Sequence, residues 1–271
     1  MKQAVDQYIR FLRLEREVPS INYLQRLIQH HLTLVPYESF SKFHYFALAP
    51  DFIPPLPLFV HNLLEKGWGG TCFTLNMNFA RLLTELGFSC SFVRVEPGHL
   101  AIMVEIRGKR LYVDVGYGSP IMKPVDLEAR PQHKMHGFGE EITITQKQDS
   151  LYEIDRKSNG KTFVKKQIIW ESLTEEEIAD DIRQSYLDVD ENITMRRITA
   201  VRITAVRFNG HQCFYLRNNI MKVMTFRNIQ EIQLNSLEKW QKQVQDVYQV
   251  EEESLKESLD FLKERNIILF E

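Results

Sequence analysis

A cysteine that follows two glycines and opens a helical pattern has the makings of a nucleophile. Here it is Cys72, in the run Gly69-Gly70-Thr71-Cys72. Glycines let the backbone turn tightly, and a helix start offers free N–H groups and a positive field. Both favour a thiolate and an oxyanion beside it. Taken alone, such a cysteine is more often an inert small core residue. The other two cysteines, Cys90 and Cys213, sit in strand-like runs and read as buried and inert. Three cysteines without CxxC spacing make neither a disulfide framework nor a zinc knuckle.

A thiol nucleophile needs a base, and the base needs an orienting group. Of eight histidines, His99 stands apart. It opens a strand after Pro97-Gly98, and the return strand carries Asp114. With a two-residue turn at Arg107-Gly108, His99 falls opposite Gly116 and Asp114 opposite Ala101. The two side chains then share a face as diagonal neighbours, about 7–8 Å apart at the backbone and closable by their side chains. An aspartate between Val113 and Val115 is costly in a strand unless paired. His133 and His136 make an H-x-x-H in a polar segment, a weak metal signal without a third ligand. His30, His31, His44 and His61 read as surface or capping residues of the helical part.

The elements that must position these residues follow from periodicity. Up to about residue 87 the pattern is helical, with stripes at Val5, Tyr8, Ile9, Leu12 and at Leu24, Leu27, Ile28, His31. Four prolines between residues 44 and 57 predict a loop or short extended crossing. Leu75, Phe79, Leu82, Leu83 and Leu86 mark the clearest helix, stopped by Gly87. From 88 to about 170 the period is two, which predicts antiparallel strands in a barrel or a strongly bent sheet. Thr174 to Glu177 is a capping-box signature before a short acidic helix. Residues 195–231 are strand-like again and contain a five-residue tandem, ITAVR at 198–202 and 203–207. An odd repeat swaps strand faces, so a bulge is expected there. Two final helices are expected, one capped at Asn235-Ser236 and one starting at Glu251–Glu253.

Composition narrows the classes. Hydrophobic residues at 44% and charged residues at 26% describe an ordinary globular chain, not a disordered, collagen-like or coiled-coil one. The net charge of -2 carries no basic excess for nucleic acid. No run approaches the roughly 20 apolar residues of a membrane span, and the amphipathic N-terminus is no signal peptide, so a cytoplasmic setting is expected.

Several ordered segments resemble those of the arylamine N-acetyltransferase family. Val35-Pro36-Tyr37-Glu38-Ser39-Phe40 resembles its Pro-Phe-Glu-Asn motif, and Gly69-Gly70-Thr71-Cys72-Phe73 with Asn76 resembles Arg-Gly-Gly-x-Cys-Phe-x-x-Asn. His99 with residues 100–104 resembles the catalytic-histidine strand. Tyr112-Val113-Asp114-Val115-Gly116-Tyr117-Gly118 resembles Val-Asp-Val-Gly-Phe-Gly. The resemblance implies an α+β fold: a helical bundle at 1–87 carrying the nucleophile, an antiparallel β-barrel at 88–190 carrying His and Asp, and an α/β lid at 191–271. It implies Cys72 as nucleophile, His99 as base and Asp114 as orienter, in ping-pong transfer of acetyl from acetyl-CoA to an arylamine or hydrazine, with no metal. It puts substrate contacts at Tyr37, at Glu96-Pro97-Gly98 beside the pantetheine arm, and at Tyr117 and Gly118, the Tyr117 ring forming a wall for a flat acceptor.

The chain departs from the family in three places. Trp68 replaces the Arg that pairs with the motif glutamate, so Lys66 or another cation is expected to serve Glu38. The Cys72–His99 segment is short, and no Ser-Thr-x-Pro-like segment is recognisable around 183–195. The same triad also fits a thiol hydrolase or an amide-forming enzyme. A non-catalytic binder of CoA or a small aromatic is a further reading.

Overall fold

The structure is a computed structural model and describes residues 1–117, 121–206, 210–225 and 228–270. Its first part is helical. Helix α1 (Lys2–Phe11) buries Val5, Tyr8 and Ile9, as its stripe requires, and α2 (Ile21–Leu34) starts where the Ser20 hydroxyl accepts the Tyr23 N–H at 3.1 Å. After Pro36 comes a two-residue strand, β1 (Tyr37–Glu38). Helix α3 (Phe40–Leu48) corrects the sequence expectation, because the loop begins at 49 and not at 44. Burial of Phe40 and Phe43, one turn apart, holds the helix together, and the first proline comes only at Pro50. Prolines in the first turn of a helix cost little because their missing N–H has no partner there. Helix α4 (Leu56–Lys66) accordingly begins on Pro55 and Pro57, and α5 (Cys72–Glu85) follows a glycine-rich turn.

Seven antiparallel strands come next: β2 (Ser89–Glu96), β3 (His99–Ile106), β4 (Lys109–Val113), β5 (Gln132–Gly137), β6 (Glu140–Gln148), β7 (Leu151–Ser158) and β8 (Lys161–Leu173). Their order is β4-β3-β2-β8-β7-β6-β5, an open curled sheet, the strongly bent form of the two expected. The curl brings Met103, Tyr112, Ile144, Tyr152 and Trp170, from strands far apart in that order, into one core on its inner face. Closure is unnecessary because the β4 edge is covered, Tyr112 pairing with Val125 in an isolated bridge. On the other face Leu100, Ile102, Val104 and Val113 join Phe79 and Leu83 of α5 in the helical core. β5 takes in His133 and His136, where a polar segment was expected.

Helix α6 (Ala179–Ser185) follows the Thr174 capping box, whose N–H reaches Glu177 Oε2 at 2.7 Å. The last four strands, β9 (Thr199–Val206), β10 (Gly210–Arg217), β11 (Ile220–Met224) and β12 (Ile229–Gln233), form a second sheet with β1 in the order β1-β9-β10-β11-β12. Helices α7 (Leu237–Tyr248) and α8 (Glu252–Lys263) close the chain.

Residues 199–206 of the tandem repeat form β9 without the expected bulge, their pairing with β10 running unbroken from Thr199↔Arg217 to Val206↔Gly210, and Arg207 lies outside the described residues. An odd repeat is tolerated because both faces of this sheet are covered. Ile198 is buried with Trp240 and Val244, whereas Ile203 is buried in the N-terminal helical core. Among the described residues no helix is long and apolar enough to cross a membrane.

Candidate active site

Cys72 is the first residue of α5, and Gly70 just before it has φ +121, a conformation that L side chains rarely adopt. One turn further along the same helix face stands Asn76. Its Nδ2 donates to Leu100 O at 2.7 Å and to Asp114 Oδ1 at 3.1 Å, while its Oδ1 accepts the Val115 N–H at 3.0 Å. Three bonds from one buried amide thus fix the start of α5 against β3 and the chain leaving β4. Gly116 permits that approach, since a Cβ there would stand 2.6 Å from Asn76 Nδ2 and 2.7 Å from Cys72 Cα.

The β3–β4 hairpin turns at Arg107-Gly108, both at positive φ, a primed turn that suits the twist of the strands. Its register runs from Ile106↔Lys109 to Ile102↔Val113, and continued outward it sets His99 opposite Gly116 and Asp114 opposite Ala101, as parity predicted. His99 Nε2 lies 2.7 Å from Asp114 Oδ2. The same oxygen accepts from Tyr112 Oη at 2.8 Å, and Oδ1 accepts the Gly116 N–H at 3.0 Å. A carboxylate 2% exposed is tolerable only with such a set of donors.

His99 also stands near enough to Cys72 for its charge and hydrogen-bonding capacity to act on the thiol. Burial alone would raise the Cys72 thiol. The charge and hydrogen bond of His99, with Lys166 and Lys42 further off, overcome this and hold it below its ordinary value. Burial would likewise lower His99, but the charges of Asp114 and Cys72 lift it to about 9. Asp114, which burial would raise, is brought below its ordinary value by His99, Asn76 and Tyr112. The three groups together favour thiolate, imidazolium and carboxylate.

Cys72 opens on a cavity of about 380 Å³, whose walls include Phe73, the turn Glu96-Pro97-Gly98, and Lys42. Asp181, Ser185 and Thr194 supply the facing wall. The Tyr117 ring meets the His99 ring edge-on, centroids 4.6 Å apart, and Arg156 sits 4.8 Å over Tyr117.

A family model described as N-acetyltransferase matches residues 20–258. The chain belongs to the arylamine N-acetyltransferase family. The solved arylamine N-acetyltransferase of Mycobacterium smegmatis aligns over 95% of this chain and 98% of its own, with TM-score 0.78 and 18% identity. The Mycobacterium marinum arylamine N-acetyltransferase in complex with CoA aligns over 97% and 99%, with TM-score 0.77 and 13% identity. At those identities the likeness is one of fold. Proansamycin X synthase of Amycolatopsis mediterranei is 27% identical over 146 residues, 49% of this chain and 54% of that protein. The chain spans about half the length of the curated relatives it matches.

Within this N-acetyltransferase fold the remaining predicted contacts sort themselves. Glu96, Pro97 and Gly98 reach the Cys72 cavity and Tyr117 stands against His99. Tyr37 packs by the same core, its phenol pushed far up by burial and then by the charge of Cys72. Gly118 lies outside the described residues.

Lys66 does not serve Glu38. It pairs with Glu251 at 3.0 Å. Glu38 accepts instead from Ser41 N at 2.8 Å and Ser41 Oγ at 2.6 Å, and also from the Gly69 N–H. The N-terminus of α3 thereby replaces a cation, and burial leaves the carboxyl at about 7. Trp68 is turned away, its indole N–H bonding Ser254 Oγ at 2.8 Å.

His133 and His136 point to opposite faces of β5, as residues three apart in a strand must, with His133 buried and His136 exposed. Among the described residues no cluster fit for a metal occurs. Sequence reading missed Lys42 and Lys166 as neighbours of Cys72. Nothing in their local pattern marks them, because tertiary packing alone brings α3 and β8 to Cys72.

Proposed function

We propose that the chain transfers acetyl from acetyl-CoA, through Cys72, to an aromatic amine or hydrazine. The observation that carries this reading is the linked Cys72–His99–Asp114 arrangement at the mouth of a cavity. The thiolate of Cys72 attacks the acetyl carbonyl, and the oxyanion so formed faces the first N–H groups of α5, which have no carbonyl one turn earlier to bond. CoA leaves as its thiol, taking the proton held by His99. Exchange of one thioester for another is nearly balanced, so binding decides the direction. The amine then attacks the acetyl-cysteine, His99 takes the proton lost by nitrogen, and Asp114 keeps the ring aligned. The amide leaves and the sulfur returns to its charged form. Family membership and the fold shared with a CoA-bound relative support the choice of donor.

The test is intact mass after incubation with acetyl-CoA, in the chain as it stands and in Cys72→Ser. A single acetyl adduct, absent from the variant and discharged by an arylamine, is expected. No adduct and no CoA release would remove the acyl-transfer reading. The same Cys72, His99 and Asp114 keep a thiol hydrolase or amide-forming enzyme as the second reading, marked by turnover that does not depend on CoA.

A further inference from the structure

Lys42 stands in the wall of the Cys72 cavity, yet its side chain is only 2% exposed. Its Nζ donates to Ser185 O at 2.7 Å and to Thr194 Oγ1 at 2.8 Å. Both acceptors are fixed in turn, since Thr194 donates to Asn192 Oδ1 at 2.7 Å and Asn192 Nδ2 reaches Ser185 O at 2.8 Å. The ammonium also stands 4.8 Å from the centre of the Tyr186 ring, and all of these partners are neutral. Among the described residues no carboxylate pairs with it. Of the acids in the same wall, Asp181 is taken by Arg94 at 2.8 Å and Glu96 is exposed.

A buried ammonium without counter-charge is expensive. The Cys72 thiolate supplies part of that charge in the free enzyme. Acylation removes it, because a thioester is neutral, and an incoming anion is then what keeps the buried lysine charged. Burial lowers Lys42 to about 8 with that thiolate beside it, so the ammonium persists at neutral pH in the free enzyme.

We propose that Lys42 makes this cavity select small substrates bearing a carboxylate, on the acyl group or on the amine. Its use in turnover rests on the acyl-transfer reading, whereas the preference itself does not. Iodoacetate and iodoacetamide separate the two, because in both the Cys72 sulfur displaces iodide and only the reagent charge differs. Rates at Cys72, read by peptide mass at pH 7, are compared in the full chain, Lys42→Met, Lys42→Arg and Lys166→Met. Because any change in thiolate content affects both reagents, the rate ratio isolates recognition of the carboxylate.

The ratio is expected to fall about tenfold in Lys42→Met and to survive in Lys42→Arg and Lys166→Met. An unchanged ratio in Lys42→Met, or its loss in Lys166→Met, overturns the proposal. Two further arms locate the carboxylate: succinyl-CoA against acetyl-CoA as donor, and 4-aminobenzoate against 4-aminobenzamide as acceptor. In one arm kcat/KM for the charged member should drop selectively in Lys42→Met, and a drop in neither overturns the proposal. Failure to acetylate Cys72 with the alkylation preference intact sinks acyl transfer alone.

Discussion

Cys72 and Cys213 are both thiols against the same hydrophobic core, and they face opposite electrostatic fates. Cys213 lies in the middle of β10, paired to Ile203 on one side and Met224 on the other, and burial pushes it up to about 12. Cys72 pays a similar burial penalty, but it opens a helix and touches an imidazole backed by a carboxylate, so its thiol comes down. Cys90, near Thr84, follows Cys213 to about 12. Burial alone therefore silences a cysteine, and a fixed neighbouring charge is what reverses it.

The sharpest way to break the contrast is to remove the sulfur. Cys72→Ser should lower acetyl transfer by about a thousandfold or more, measured as amide product, because a serine hydroxyl is not ionised by this imidazole. Next in size, Asp114→Asn should slow iodoacetamide alkylation of Cys72 at pH 6 by about a hundredfold, since His99 loses the charge that keeps it protonated. In the parent chain the thiolate–imidazolium pair exists from the lowered value of Cys72 up to about 9, where His99 gives up its proton. Its alkylation rate should thus stay level as pH falls from 8 to 6, whereas Cys90 and Cys213 stay unreactive across that window. A rate at Cys72 that fell tenfold per pH unit there would show an ordinary thiol.

Gly116→Ala should destabilise the fold by about 1–3 kcal/mol in denaturant melts, because its methyl would meet Cys72 Cα and Asn76 Nδ2. Smallest of all, Cys213→Ala should cost about 1 kcal/mol of stability and leave the Cys72 alkylation profile unmoved. A shift in that profile would mean that the two cysteines are coupled after all.

Much of this was legible beforehand where the signal is local. Helical stripes such as Leu75 to Leu86, the Thr174 capping box and the two-residue turn at Arg107-Gly108 depend on neighbours in sequence, and each formed as read. Parity across that turn was enough to place His99 and Asp114 on one face. Illegible were the features set by distant packing. The pairing of Lys66 with Glu251 and the relief of Glu38 by the α3 N-terminus join segments whose approach no periodicity encodes. The bulge expected in the ITAVR repeat failed for the same reason, since its premise was one buried sheet face and the fold covers two.

By itself the sequence determined the order of the elements, the cysteine at a helix start and the histidine and aspartate one hairpin apart, because these follow from turn chemistry and side-chain alternation. Only the tertiary structure decided that the helix start docks on that hairpin through Asn76 and Gly116, and that a lysine from α3 ends in the same cavity. Charge acts through space, so the state of Cys72 is set by groups 27, 94 and 30 positions away in the chain: His99, Lys166 and Lys42.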